Sequence, residues 1–357
     1  MEEKPGLFGI YRSNRDYTKP DTWGKNQFNS SFPAALACYL YSKGLSAVYY
    51  KANKNMKIEV STIGIDTLFG IEPLSEDIYF SFETPYMPYQ KYVKGSIPRN
   101  DLVILENDKC LSSMEIKLVA LPDNATCALA EDKFGAEIVV RPDTIVYLAC
   151  SIIQNYKTQK ELENVLAGAG ANIENWTEAE KVLPYITEIY WAIRRVVIEN
   201  YEKQVPVIME PVWKTEGKSP KLSKNCLDVF VWSNLGMLNL FMPEENEILY
   251  KISRHTRTMI WLFRMLADYA KNGYFDGRAI IDALSYNLKN DKAFSSNGQK
   301  TQPLMTCEEL IHPRIQKDEI KKIILGGGQN LLSPERRFDA IIYNSPDLFE
   351  ETNRCND

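Results

Sequence analysis

Short segments in the first third of the chain have the residue pattern of β-strands. Residues 47–50 and 58–60 are strand-like in composition, and apolar and polar residues alternate along 77–83. A helix comes before them: Ser30 or Ser31 can cap its start, Pro33 fits its first turn, and Gly44 stops it. The succession of a helix and several strands predicts an α/β fold.

A second group of elements begins with two apolar segments, 101–105 and 113–119, which flank the turn-prone residues 106–109. We expect these segments to form an antiparallel β-hairpin. The other predicted elements are a strand at 136–140, a helix from Pro142, a helix at 177–204, one or two strands within 226–241 and an amphipathic helix at 255–272. The prediction is a central mixed β-sheet flanked by helices, with further helices and a smaller sheet from the second half.

Composition narrows the possible classes of protein. With 45% hydrophobic and 25% charged residues, the 357-residue chain has the composition of an ordinary globular protein. Its seven cysteines are scattered without a C-x-x-C pair, and it has only two histidines, so we expect no zinc site built from His and Cys. A secretory signal pattern and an apolar run of about 18 residues are both lacking, which predicts a cytoplasmic protein.

The net charge of −5 at first argues against a nucleic-acid partner, because DNA binding draws on lysine and arginine. Basic residues nevertheless cluster at Lys251, Arg254, Arg257 and Arg264. A metal site would also concentrate carboxylates locally. The net charge therefore decides nothing about the partner in either direction.

The predicted hairpin carries residues suited to metal-assisted phosphodiester hydrolysis. Side chains alternate along a strand, so Glu115 and Lys117 project to one side and Ile116 to the other. Asp101 begins the neighbouring strand, 14 positions before Glu115, where both carboxylates can meet one metal ion. Mg²⁺ prefers oxygen ligands and keeps several waters, so two carboxylates and the Ile116 carbonyl suffice. Lys117 can hold the attacking water or stabilise the phosphate in the transition state.

The Glu-x-Lys triplet alone is weak support, since it also occurs elsewhere, for example at Glu319 and Lys321. Only Glu115 lies in an apolar strand with an Asp at the head of the preceding apolar strand. In the alternative reading Asp101 caps a turn, and Glu115 and Lys117 form an ion pair on a half-exposed strand. The apolar neighbours favour the metal site, because unpaired charges are costly in such a sheet.

Several motifs resemble those of known nucleases. Pro98-Arg99-Asn100-Asp101 followed by Glu115-Ile116-Lys117 looks like the signature of PD-(D/E)xK nucleases. Four further segments resemble the HindVP-type restriction endonucleases: SNRD at 13–16, WGKNQFNSSFP at 23–33, LPD at 121–123 and VVRPDTI at 139–145. The similarity is clearest between residues 6 and 153.

The resemblance implies a type II restriction endonuclease with a PD-(D/E)xK core. It implies a homodimer that cuts both strands of double-stranded DNA at a short palindrome, such as GRCGYC, beside a cognate DNA methyltransferase. On this basis residues 1–156 are expected to form the catalytic core with the N-terminal helix. Residues 157–357 are expected to complete the fold, bind DNA and dimerise.

Other residues are candidates for supporting roles. Many nucleases of this superfamily take a further metal ligand from the first helix, but residues 30–43 contain no Asp or Glu. Glu83 at a strand end can take that role, unless it is a surface charge on an edge strand. Turn, capping and solvated-face roles compete with DNA contact for the remaining candidates. These candidates for DNA binding are Lys25, Asn26, Gln27, Asn29, Arg254 and Arg257.

Two other functions stay open from the sequence. The same core serves repair nucleases and junction resolvases, which read DNA shape rather than base order. A DNA-binding module can also keep the fold after losing its metal. The presence of Asp101, Glu115 and Lys117 together favours an enzyme.

Overall fold

A computed structural model describes residues 12–14, 25–116, 138–210, 213–216, 219–222, 229–244 and 251–296, with side chains in all of these except 25–32, 210, 213–216 and 219–222. Its strands are β1 (Ala47–Ala52), β2 (Ile58–Ile63), β3 (Ile78–Thr84), β4 (Asn100–Glu106), β5 (Lys109–Ile116), β6 (Ile138–Val140), β7 (Pro206–Glu210), β8 (Trp213–Glu216), β9 (Ser219–Leu222), β10 (Phe230–Ser233) and β11 (Phe294–Ser296). Its α-helices are α1 (Lys25–Ser42), α2 (Ile65–Phe69), α3 (Pro142–Ile153), α4 (Gln159–Leu166), α5 (Ala179–Val182), α6 (Ile186–Asn200), α7 (Asn234–Phe241), α8 (Arg254–Asn272) and α9 (Gly277–Ala283). Short 3₁₀ helices occupy Met87–Tyr92 and Leu183–Tyr185.

Seven of these strands form one mixed sheet in the order β2-β1-β10-β7-β5-β4-β3. Strands β3, β4 and β5 are successive antiparallel neighbours, whereas β5 pairs with β7, and β1 with β10, in parallel. Strands β7 and β10 come from the second half of the chain and lie between β5 and β1. The predicted α/β architecture is confirmed; the division of the chain at residue 156 stays a prediction.

The hairpin of β4 and β5 is confirmed. Its two-residue turn consists of Asn107 and Asp108, whose φ angles are 46° and 65°. Positive φ at both central residues is the signature of a type I′ turn, whose twist matches that of the paired strands. The predicted residues 117–119 of the second strand lie outside the described part of the chain.

The edge strand β3 is covered by residues from near the N-terminus. The side chain of Asn14 donates to the carbonyl oxygen of Phe82 at 3.0 Å and accepts from its N–H at 2.8 Å. The N–H of Phe80 donates to the carbonyl oxygen of Arg12 at 2.9 Å. Backbone groups of a sheet edge are thereby paired, which gives Asn14 a structural role in the first of the four family-like motifs.

Helix α1 differs from the prediction at its start. It begins at Lys25 rather than at Ser30 or Ser31, so Pro33 lies inside the helix. A proline in a helix interior removes one backbone hydrogen bond. The helix continues nonetheless, and residues 34–40 after the proline are buried in the core. It stops as predicted, before Gly44, whose φ is +66°.

Two predictions in the second half need correction. The single helix predicted at 177–204 is divided: Pro184 lies in a 3₁₀ turn, and the long helix is α6 only. The segment 226–241 contains the strand β10 and then the helix α7, capped by the Ser233 side chain, rather than strands alone. Of residues 229–241, which the structure describes, all except Asn239 are buried, so the pattern has no periodicity that separates strand from helix.

The helix predicted at 255–272 is confirmed as α8. A serine again caps the helix start, because the Ser253 side chain accepts a hydrogen bond from the N–H of Thr256. Gly273 ends the helix with a φ of 81°. Helix α8 contacts α3, α4 and α6. Of the helices in the described residues, none is long and apolar enough to cross a membrane.

Candidate active site

The hairpin register sets Asp101 against Glu115. Leu102 pairs with Met114 and Val103 with Ser113, so the next pair along the ladder is Asp101 with Glu115. Residues directly opposite each other in an antiparallel pair project from the same face of the sheet. Both side chains are half-buried. The two carboxylates therefore lie on neighbouring strands and on one face, as the sequence predicts.

The carboxylate of Asp101 is bound to the partner strand. Its Oδ2 accepts a hydrogen bond from the backbone N–H of Ile116 at 2.7 Å. A bond between a carboxylate and an N–H is charge-assisted and therefore stronger than a neutral one. It ties Asp101 to the end of β5, one residue beyond Glu115.

The carboxylate of Glu115 is bound by a helix. The hydroxyl of Thr144 donates to Oε1 of Glu115 at 2.9 Å. Thr144 is the third residue of α3 and is only 2% exposed. The bond brings the carboxylate to the N-terminal end of α3, where the aligned peptide dipoles favour negative charge.

The same helix also fixes the chain before Asp101. The hydroxyl of Tyr147 donates to the carbonyl oxygen of Pro98 at 2.8 Å and accepts from the N–H of Tyr86 at 2.9 Å. Burial raises the pKa of Tyr147, so the phenol stays protonated as a donor. Helix α3 thus contacts the segments leading to both carboxylates.

A cavity of about 170 Å³ opens beside Glu115. Its lining includes Asn100, Ser113, Glu115, Thr144, Tyr147 and Gln154. Asn100 is buried, and its Oδ1 accepts from the N–H of Asp101 at 3.0 Å. The cavity gives a small polar ligand access to the Glu115 carboxylate.

Comparison with known proteins identifies the family. The model of the HindVP restriction endonuclease family matches residues 23–349. The chain belongs to the HindVP restriction endonuclease family. It is 43% identical to a type II restriction enzyme, HgiDI, of Herpetosiphon aurantiacus, with 98% of each chain covered. It is 46% identical to a probable type II restriction enzyme, HindVP, of Haemophilus influenzae, with 98% of this chain and 96% of the relative covered.

Membership in the HindVP family makes this protein an enzyme of the restriction endonuclease class. It confirms the resemblance found in the sequence motifs. None of the solved structures compared matches the chain. The geometry around Asp101 and Glu115 therefore comes from this structure alone.

The third catalytic candidate of this HindVP family member, Lys117, lies outside the described residues. The carbonyl of Ile116 stays a predicted ligand. Glu83 has a φ of 51° and falls between Phe82 and Thr84, which pair with Leu102 and Asn100, so its register position faces Asp101. Within the described part of the chain no three His, Cys, Asp or Glu side chains converge, so Glu83 does not form one group with Asp101 and Glu115.

The prediction that Arg257 contacts DNA needs correction. Its side chain is 0% exposed. The guanidinium donates to the carbonyl oxygens of Ser285, Lys289 and Lys292 and to Oδ1 of Asn290, at 2.8 to 3.3 Å. It also lies over the Trp261 ring at 4.5 Å. Arg257 points into the protein because the donors on its two terminal nitrogens satisfy four oxygens of one loop.

The other predicted DNA contacts of this HindVP relative stay predictions. Arg254 is half-buried at the start of α8. Lys25, Asn26, Gln27 and Asn29 fall within α1, in the part whose side chains lie outside the description.

Two residues of the site were missed by sequence reasoning. Thr144 lies in the VVRPDTI motif at 139–145, and Tyr147 follows the motif by two residues. The sequence analysis predicted no role in the site for either residue. Their spacing of three puts them on one face of α3. That spacing was visible in the sequence, but their partners Glu115 and Pro98 were not, because the contacts span 29 and 49 positions.

Proposed function

We propose that this protein hydrolyses both strands of double-stranded DNA at a short palindromic sequence, with Mg²⁺ and with Asp101, Glu115 and Lys117 as its active site. The observation that carries the proposal is the pair of carboxylates on β4 and β5, each held by a hydrogen bond from the protein. Family membership and the names of the relatives, which are type II restriction enzymes, support the same reaction.

The donor set fits a divalent cation that prefers oxygen ligands. Two carboxylates on one face of a sheet, of which Glu115 lines a cavity, are as many charged ligands as Mg²⁺ usually takes from a protein. Asp101, Glu115 and the Ile116 carbonyl would hold it. A bound Mg²⁺ lowers the pKa of water and offsets the charge that builds up on the phosphate.

Lys117 follows Glu115 by two positions. Along an extended strand that spacing directs its side chain to the same face as Glu115. There the ammonium group orients the attacking water and neutralises charge on the phosphate oxygens. It does so as a point charge on a flexible stem, which suits a phosphate that approaches from solvent.

Cutting both strands of a palindrome requires two copies of the active site related by a twofold axis, which a homodimer provides. Arg254 at the start of α8, and Lys25, Asn26, Gln27 and Asn29 in α1, are our candidates for contacts with the duplex. The recognition sequence proposed from the family is similar to GRCGYC. A cognate methyltransferase that protects the same sequence completes a cytoplasmic restriction-modification system.

The proposal is tested by cleavage of plasmid DNA over a range of Mg²⁺ concentrations. Asp101→Asn, Glu115→Gln and Lys117→Met should each lower the rate at least about 100-fold. Glu106→Gln and Lys109→Met make the same chemical changes at the other end of the same hairpin and should cut at the normal rate.

Discrete fragments that need Mg²⁺ and disappear in the three site variants support the proposal. Cleavage restricted to branched DNA would replace it with a resolvase. A shift of DNA without any cleavage would replace it with a binding module. Equal loss in the two control variants would mean that the hairpin fold, not its chemistry, had been tested, and the site assignment would fall.

A further inference from the structure

The bond between Thr144 and Glu115 joins two elements that are distant in sequence. Thr144 Oγ1 lies 2.9 Å from Oε1 of Glu115, and the Thr144 side chain is buried. We propose that Thr144 is a positioning residue that fixes the Glu115 carboxylate in the orientation that binds the metal ion. This inference rests on the function proposed above, in which Glu115 is a metal ligand.

The Thr144 hydroxyl is directed at the carboxylate rather than at its own helix. Threonine near a helix start commonly bonds to a nearby backbone group. In α3 the residue before the first turn is Arg141, whose side chain makes no capping bond, and the Thr144 backbone N–H donates to the Arg141 carbonyl oxygen at 3.2 Å. A hydroxyl has one proton to donate, and here that proton is given to Glu115.

Helix α3, which carries Thr144, is held in place by the packing around it. All of its residues from Thr144 to Ile153 are buried, and it contacts α7, α8 and the 3₁₀ helix Met87–Tyr92. Tyr147, one turn after Thr144, binds Pro98 just before β4. One rigid helix therefore sets Glu115 directly and the start of the Asp101 strand through Tyr147.

Loss of the Thr144 hydroxyl affects metal binding through the orientation of Glu115. Glutamate has three rotatable bonds, and removing this hydrogen bond removes the part of the carboxylate's orientation that the bond imposes. Groups that orient metal ligands by hydrogen bonds typically contribute about 10- to 100-fold in metal affinity. Since carboxylate oxygens have about four lone-pair sites in total, the bond to Thr144 leaves Glu115 able to bind a cation.

The test is a titration of the protein with Mn²⁺ in the absence of DNA. The electron paramagnetic resonance signal of the free ion measures how much Mn²⁺ remains unbound. Thr144→Val keeps the shape of the side chain and removes the hydroxyl, so it should weaken binding by about 10-fold or more. Thr144→Ser keeps the hydroxyl and should bind Mn²⁺ within about 2-fold of the wild type. The concentration of Mg²⁺ at half-maximal cleavage should rise with the same factor in Thr144→Val, and the rate at saturating Mg²⁺ should recover.

Thr258→Val is the matched control, because it makes the same change at a buried threonine of α8, whose hydroxyl donates to the carbonyl oxygens of Arg254 and Ala293. It should leave Mn²⁺ affinity unchanged. Should Thr144→Val not fold, as judged by its melting temperature, Thr144→Ala removes the same hydroxyl and puts no methyl group in its place.

Two failures are distinguishable. A wild-type protein that neither binds Mn²⁺ nor cuts DNA would overturn the proposed function and this inference with it. A wild type that does both and a Glu115→Gln variant that does neither would keep the proposed function. If Thr144→Val then matched the wild type in Mn²⁺ affinity and in Mg²⁺ dependence, only the positioning role of Thr144 would be refuted.

Discussion

Replacing Arg257 with methionine removes a guanidinium whose four acceptors all belong to the loop between α9 and β11. The distances to these oxygens run from 2.8 to 3.3 Å. Burial and the nearby Arg254 lower the pKa of Arg257 to about 10, so the group still carries its charge at neutral pH. A net contribution of about 1 kcal/mol for each of four hydrogen bonds gives a loss of about 4 kcal/mol in the free energy of unfolding. For a chain of this size that loss lowers the melting temperature by about 5 °C.

Urea denaturation followed by circular dichroism measures that loss. Arg254→Met is the control, because Arg254 lies on the same helix but is only half-buried. It should change the free energy of unfolding by less than about 0.5 kcal/mol. If Arg254 contacts a phosphate, Arg254→Met should reduce the slope of the logarithm of the DNA-binding constant against the logarithm of the salt concentration by about one. The reasoning about Arg257 is refuted if Arg257→Met is as stable as the wild type while its DNA affinity falls.

Two further predictions concern a glycine of helix α7 that packs against β1, and the turn of the hairpin. Gly236→Ala should lower the free energy of unfolding by about 1–3 kcal/mol, because the added methyl carbon would lie 2.7 Å from the carbonyl oxygen of Tyr50 and 2.8 Å from Oγ of Ser233. Gly44→Ala, where the added methyl group has open space but φ is +66°, should cost about 1 kcal/mol. A smaller loss for Gly236→Ala than for Gly44→Ala in urea denaturation would contradict the steric argument. Asp108→Gly should raise the free energy of unfolding by about 0.5 kcal/mol, and the melting temperature slightly with it, because Asp108 holds a φ of 65° that glycine adopts freely. A fall in the melting temperature of that variant would show that the Asp108 side chain itself stabilises the turn.

The local prediction was strongest where pattern and turn chemistry agreed. Two apolar segments around turn-prone residues predicted the hairpin that sets Asp101 opposite Glu115, and the amphipathic pattern at 255–272 predicted α8. The prediction was weakest where the sequence was mostly apolar, as at 226–241, or where a proline was taken to mark a helix start, as at Pro33. In those segments several conformations bury the same residues, and packing against the rest of the chain selects one.

Sequence alone was enough to predict which carboxylates form the candidate site, that they share one face, and which family the chain resembles, because strand periodicity and short motifs are local properties. Which distant groups these residues contact depends on the tertiary structure. Residues 206–233 supply the two strands that lie between β5 and β1, Thr144 reaches Glu115 across 29 positions, and Arg257 turns away from solvent to bind a loop. The physical reason is that burial and hydrogen-bond satisfaction depend on the whole packed chain, and many long-range pairings are compatible with the same local pattern.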